Sequence, residues 1–191
     1  MLDFSPLTEQ KQPLGEFAAT VSKDDLYTTT NGITDQILAL LAGAEDADVV
    51  FVPNDPGAND PGAAEEEREM AWTFAHIGVH VTAGVEEGAM LALALARGVE
   101  PTERSRYETH WTTITTVEQI RQRLQESRRM ALAMLDAWPD APHMDVTQTP
   151  IPRFGPMNAI ARYLLGLMHA NNHLAQVADA MGQAKSARAA V

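Results

Sequence analysis

Residues 156–185 read PMNAIARYLLGLMHANNHLAQVADAMGQAK, and this stretch decides the fold class. Pro156 stands where a first helical turn tolerates proline, because the missing N–H has no intrahelical partner there. His169 and His173 are four residues apart, so on a helix both imidazoles leave one face about a turn apart. Leu165 and Met168 precede the pair and Gln176 and Ala180 follow it, so polar side chains continue a face that otherwise reads as core. At 1.5 Å per residue such a helix is long enough to cross a bundle.

Three more segments carry the same period. In residues 23–41, Leu26, Ile33, Ile37, Leu38 and Leu41 recur at helical intervals, although Thr28-Thr29-Thr30-Asn31-Gly32 is a weak helix former and predicts a break. Residues 63–97 open on Glu65-Glu66-Glu67, where acids favour a helix start, and stop at Gly98 before Pro101. Residues 116–138 have Thr116 as N-cap and Pro139 as stop. The expectation is an all-α chain, a four-helix bundle forming a single domain over residues 1–191. The Pro- and Gly-rich stretches 43–62 and 139–155 read as loops wrapping the bundle. Residues 98–115 are long enough to run from one end to the other, which permits parallel neighbours. Val49-Val50-Phe51-Val52 is expected as an extended loop packed on the helices.

Composition narrows the chemistry. The 191 residues contain no cysteine, which removes disulfides, thiolate ligands and a cysteine nucleophile. Metal chemistry must then use His, Asp and Glu. With 14 Lys+Arg against 26 Asp+Glu, the net charge of −12 argues against nucleic acid as a partner. The one basic cluster, Arg121, Arg123, Arg128 and Arg129, alternates with Glu118 and Glu126 as on a solvated helix face. No run of about 18 apolar residues predicts a membrane span, and the N-terminus lacks the pattern of a secretory signal, so a cytoplasmic location is expected.

Of the six histidines, four form pairs at i, i+4: His76 with His80, and His169 with His173. Two chelating pairs on two helices, without thiolates, point to a metal site. The residues three before these histidines are Thr73, Ile77, Gly166 and Ala170, so the Glu-x-x-His pattern of di-iron bundles is missing. Ile77 and Ala170 likewise break the His-Glu-x-x-His pattern of zinc proteases. A mononuclear site of three neutral imidazoles, with room for water or substrate, remains. Spacing alone does not choose among the four rings.

The segment Trp72-Thr-Phe-Ala-His76-Ile-Gly-Val-His80, with a tryptophan about two turns before His80, and the His169-x-x-x-His173-x-x-Gln176 motif together resemble the DinB-like (YfiT-like) family of metalloenzymes. The resemblance implies a divalent metal, usually zinc or nickel with iron as a further option, on His80, His169 and His173. It also implies an up-down-down-up topology and a homodimer. Among relatives of this kind are transferases and isomerases dependent on low-molecular-weight thiols, which implies a small-molecule substrate and a thiol transferase in detoxification or stress response. Metal-assisted hydrolysis and a non-catalytic, stress-associated metal-binding protein are the alternatives. Ala170 departs from the family, which often has an acid there, and so leaves that acid/base position unfilled. His76 could replace or join His80, or be a core histidine one turn away.

Other residues have two readings each. Glu86 or Glu87 could face the interior as a hydrogen-bond acceptor or base, or stay on the surface. Residues 104–111, RSRYETHW, either cover the mouth of the site or form a wrapped loop. Trp72 and Trp138 read as core aromatics, and Gln176 as a ligand-face amide.

Overall fold

The computed structural model describes residues 1–59, 65, 67–103 and 106–190. Among these the chain is all-helical: there is no β-strand, and an antiparallel bridge joins Gln148 to Met157. Two short N-terminal helices, α1 (Ser5–Thr8) and α2 (Leu14–Ala18), were not legible in the sequence. They bury Leu7, Leu14 and Phe17 against the core.

The helix α3 (Lys23–Leu40) starts on a capping box, in which Ser22 Oγ accepts from the Asp25 N–H and the Asp25 carboxylate accepts from the Ser22 N–H. The break predicted at residues 28–32 does not occur. Thr30 and Thr34 donate their hydroxyls to the carbonyls of Leu26 and Thr30, and the Asn31 amide donates to Tyr27. Side chains that compete with the backbone elsewhere are here satisfied within the helix. Of the apolar run after α3, only Val49 departs from the expected loop: it ends a single helical turn, α4 (Asp46–Val49), and is completely buried, whereas Val50, Phe51 and Val52 lie outside any helix or strand.

The second long helix, α5 (Phe74–Ala96), begins well after the expected start at residue 63. Thr73 supplies its N-cap, accepting from the His76 N–H at 3.1 Å, and an acidic run only biases a helix start where a cap fixes it. Residues 63, 64 and 66 lie outside the described set, and Glu67 instead accepts from Trp111 Nε1 at 3.3 Å. By length and composition α5 would also pass for a membrane-crossing helix, with a mean hydropathy of 1.3, although His76, His80, Glu86 and Glu87 interrupt its apolar run. Of that apolar window 67% is buried inside the protein, as in the central helix of a folded core.

The third, α6 (Val117–Asp136), follows expectation, with Thr116 and Gln119 forming its capping box. The last segment is not one helix. Asn158 caps α7 (Ala159–Asn172), so Pro156 precedes the helix, and α8 (Leu174–Ala189) follows after an interruption at His173. Asn171 and Asn172 are weak helix formers, and the His173 N–H turns to the Ala170 carbonyl, closing α7 with a tighter bond.

Helix directions follow from named contacts. Gly78 lies against Ile120, Glu86 pairs with Arg123, and Arg97 donates to the Ala137 carbonyl, so α5 and α6 run parallel. The His80 and His169 rings meet while Gly88 lies against the Arg162 carbonyl, so α5 and α7 run antiparallel. The two backbones come close at Gly84, Gly88 and Gly166, where a Cβ on Gly166 would lie 2.8 Å from the Gly84 carbonyl oxygen. Helix α3 completes the core against α6, α7 and α8, with buried Tyr163 placing its hydroxyl 3.1 Å from Thr30 Oγ1.

Candidate metal centre

His80 and His169 project from the facing sides of α5 and α7, and His173 from the interruption between α7 and α8. Ring centroids are separated by 4.7 Å (His80 to His169), 5.1 Å (His80 to His173) and 4.8 Å (His169 to His173). One nitrogen from each ring lies within 4.8 Å of the others, a grouping that could hold a metal ion. All three rings line a cavity of about 1080 Å³.

Each ring has a distinct environment. His169 Nε2 is buried and has no hydrogen-bond partner, which is costly for a polar atom unless a ligand satisfies it. Burial, and then the positive charge that His80, His173 and Arg106 place nearby, push the His169 pKa down to about 3. The ring therefore keeps its lone pair. The Nδ1 of His173 lies 2.8 Å from Gln176 Oε1, and donation to that oxygen leaves Nε2 with its lone pair toward the cluster.

His80 Nδ1 faces Arg106 Nη2 at 3.1 Å and Glu108 Oε1 at 3.4 Å. It accepts from the guanidinium in one tautomer and donates to the carboxylate in the other. Arg106 also donates to the His80 carbonyl at 2.9 Å and to Glu108 Oε2 at 2.7 Å. Burial alone would raise the Glu108 pKa, but hydrogen bonds from His80 and Arg106 outweigh it and hold the carboxyl at about 2. A carboxylate behind a histidine is the arrangement that orients metal-binding imidazoles.

His76 stands apart from this cluster. It is buried and stacked between Trp72, at 4.4 Å, and Trp111, at 5.0 Å. Trp72 also lies 4.7 Å from the His80 ring and 5.9 Å from that of His173, so it walls the cluster as well as filling core. Trp138 is buried at the other side of the core, edge-on to Tyr163. Glu86 pairs with Arg123 away from the histidines. Glu87 is buried, lines the cavity, and faces the Arg162 guanidinium at 3.9 Å. Residues 104 and 105 lie outside the described set, whereas Arg106, Glu108 and Trp111 reach the site and Tyr107 is exposed.

Sequence reading missed the individual roles of Arg106 and Glu108. One signal was present: Arg106 and Glu108 are two apart, and in extended chain such residues share a face.

No curated protein and no solved structure matches the chain. Residues 30–177, which contain all of α5, α6 and α7 and the three clustered histidines, match the family model described as the DinB superfamily, and the chain belongs to that superfamily.

Proposed function

We propose that this protein is a divalent-metal-dependent enzyme that carries its ion on His80, His169 and His173 and uses a low-molecular-weight thiol, as a transferase in detoxification or stress response. The observation that carries the proposal is that the three-histidine cluster opens onto a cavity of about 1080 Å³, with no further His, Asp or Glu grouped with it among the described residues. Structural metal sites are filled by protein ligands, whereas three-ligand sites keep a position for water or substrate. Zinc or nickel is favoured, with iron a further option, since imidazole suits all three. When bound, the ion supplies Lewis acidity that lowers the pKa of a thiol or water.

The chain's own residues do the rest. Gln176 and Glu108 fix the two outer rings, and burial keeps His169 neutral. Arg106 places a fixed cation beside the cluster, where developing negative charge is stabilised. In the transfer, sulfur bonds to an electrophilic carbon, the thiol proton passes to solvent, and the leaving group departs with its bonding electrons. The helix directions support an up-down-down-up four-helix bundle of α3, α5, α6 and α7 continued by α8. A homodimer in the cytoplasm completes the proposal, to be tested by sedimentation and cell fractionation.

Two measurements test it. Elemental analysis of the purified protein should find about one divalent ion per chain, and His169→Ala or His173→Ala should lower occupancy tenfold or more. Unchanged metal content would refute the ligand set. A panel of bacterial thiols with electrophiles should then give metal-dependent turnover. Turnover without any thiol would instead support metal-assisted hydrolysis.

A further inference from the structure

Four rings stack in a column at one side of the histidine cluster. From His173 the order is Trp72, at 5.9 Å and 18° between ring planes, then His76, at 4.4 Å and 19° from Trp72, then Trp111, at 5.0 Å and 8° from His76. Stacked rings gain something beyond the area they bury, and the gain depends on their relative orientation.

The fold holds the outer end of this column. Trp111 opens the short turn Trp111–Thr113, which leads through buried Ile114 to the Thr116 capping box of α6. Its Nε1 donates to Glu67 at 3.3 Å. Trp72 is buried and immediately precedes Thr73, the N-cap of α5, and buried His76 lies in the first turn of that helix. The starts of α5 and α6 thus converge on the joint between α7 and α8, where His173 stands.

The place of His173 in the chain makes such a support necessary. It lies at the interruption, not inside a helix. The contact of its Nδ1 with Gln176 Oε1 at 2.8 Å holds one edge of the ring. The last torsion of a histidine is broad, so a ring held by one edge can still pivot about that contact. Its plane is turned 76° from the His80 ring and 78° from the His169 ring, and a pivot changes where Nε2 points.

We propose that His76 and Trp111 are positioning residues that act through Trp72 to set the plane of the His173 imidazole. His76 acts by its flat face. The connection that places Arg106 and Glu108 on His80 also places Trp111 on the column, so one segment orients two of the three rings.

The ring-proton NMR shifts of His173 in metal-free protein test the column. Trp111→Leu removes the outermost face, whereas Trp111→Phe keeps an aromatic face and loses only the bond to Glu67. Trp111 is two rings from His173, so a change there reports movement of Trp72. The leucine variant should displace the His173 signals more than those of His169, and the phenylalanine variant should leave them near the parent's. Unmoved His173 signals in a folded Trp111→Leu protein, or equal displacement in both variants, overturns the proposal.

Cobalt(II) titration reads the consequence at the ion, and this arm rests on the metal reading above. His76→Leu should weaken cobalt binding about tenfold, as for lost support of a ligand, while His76→Phe, which keeps a flat face and no ring nitrogen, should stay within about twofold of the parent. Equal losses in the two variants overturn the stacking role. No cobalt binding by the parent would end the metal reading and leave the column to stand or fall on the His173 signals.

Discussion

Replacing Gly84 by alanine should detach one histidine from the metal without unfolding the protein. A Cβ built there lies 2.8 Å from His169 Cδ2 and 3.3 Å from Arg106 Nη1. Ordinary van der Waals contact starts near 3.4 Å, so the His169 ring must retreat by about 0.6 Å. Metal–ligand distances tolerate only about 0.2 Å, so the displaced ring no longer meets the requirement. Disturbed ligand geometry typically costs 10–100-fold in metal affinity, about 1.4–2.7 kcal/mol. Alanine also favours helix over glycine by about 1 kcal/mol, which offsets part of the local crowding, typically ~1–3 kcal/mol, so global stability should change by no more than about 2 kcal/mol. Competition against a chromophoric chelator gives the affinity, and thermal unfolding of the same samples gives the stability. Gly182→Ala is the control, since nothing lies within 4 Å of a Cβ on Gly182 in α8. It should leave metal binding unchanged. Wild-type affinity in a folded Gly84→Ala protein would refute the placement of His169 against this helix.

Glu108→Gln removes the charge behind His80 and keeps the shape; metal affinity measured by the same competition should fall about tenfold. Tyr163 gives a pH prediction that is independent of the site. Burial, opposed by the hydrogen bond shared with Thr30, pushes its phenol up to about 12, while in the unfolded chain it ionises near 10. Between those values the unfolded state holds fewer protons, so stability falls as pH rises, by about 1.4 kcal/mol per unit and about 2.7 in all. Urea unfolding from pH 9 to 11.5 should therefore show a flatter pH dependence for Tyr163→Phe than for the parent. Parallel curves would remove this residue as the cause.

What the sequence revealed was local. The pair spacing of His169 and His173 depends on a single turn of helix, and Thr116 with Gln119 depends on four residues, so both could be read directly. The start of α5 was misplaced because an acidic run is a preference, whereas the Thr73 cap is a specific hydrogen bond. The interruption at His173 was hidden because two asparagines weaken a helix without forbidding it. Choosing His80 over His76 by spacing alone was impossible: both rings lie on neighbouring turns, and the partners Trp111, Arg106 and Glu108 come from a distant connection.

The joint between α7 and α8 separates the three histidines by mechanical kind. His80 and His169 ride on helix interiors whose backbones touch through glycine, so the backbone under either ring cannot shift without moving a whole helix. His173 sits at a corner. A rotation there swings α8 and its terminal anchors, Lys185 on the Leu40 and Ala42 carbonyls and Arg188 on Asp48, relative to the other two rings. An ion gripping all three rings would therefore act as a clasp on the C-terminal helix, so that loading the site and docking α8 become one event. Amide exchange along α8 would read out the state of a centre more than one turn away.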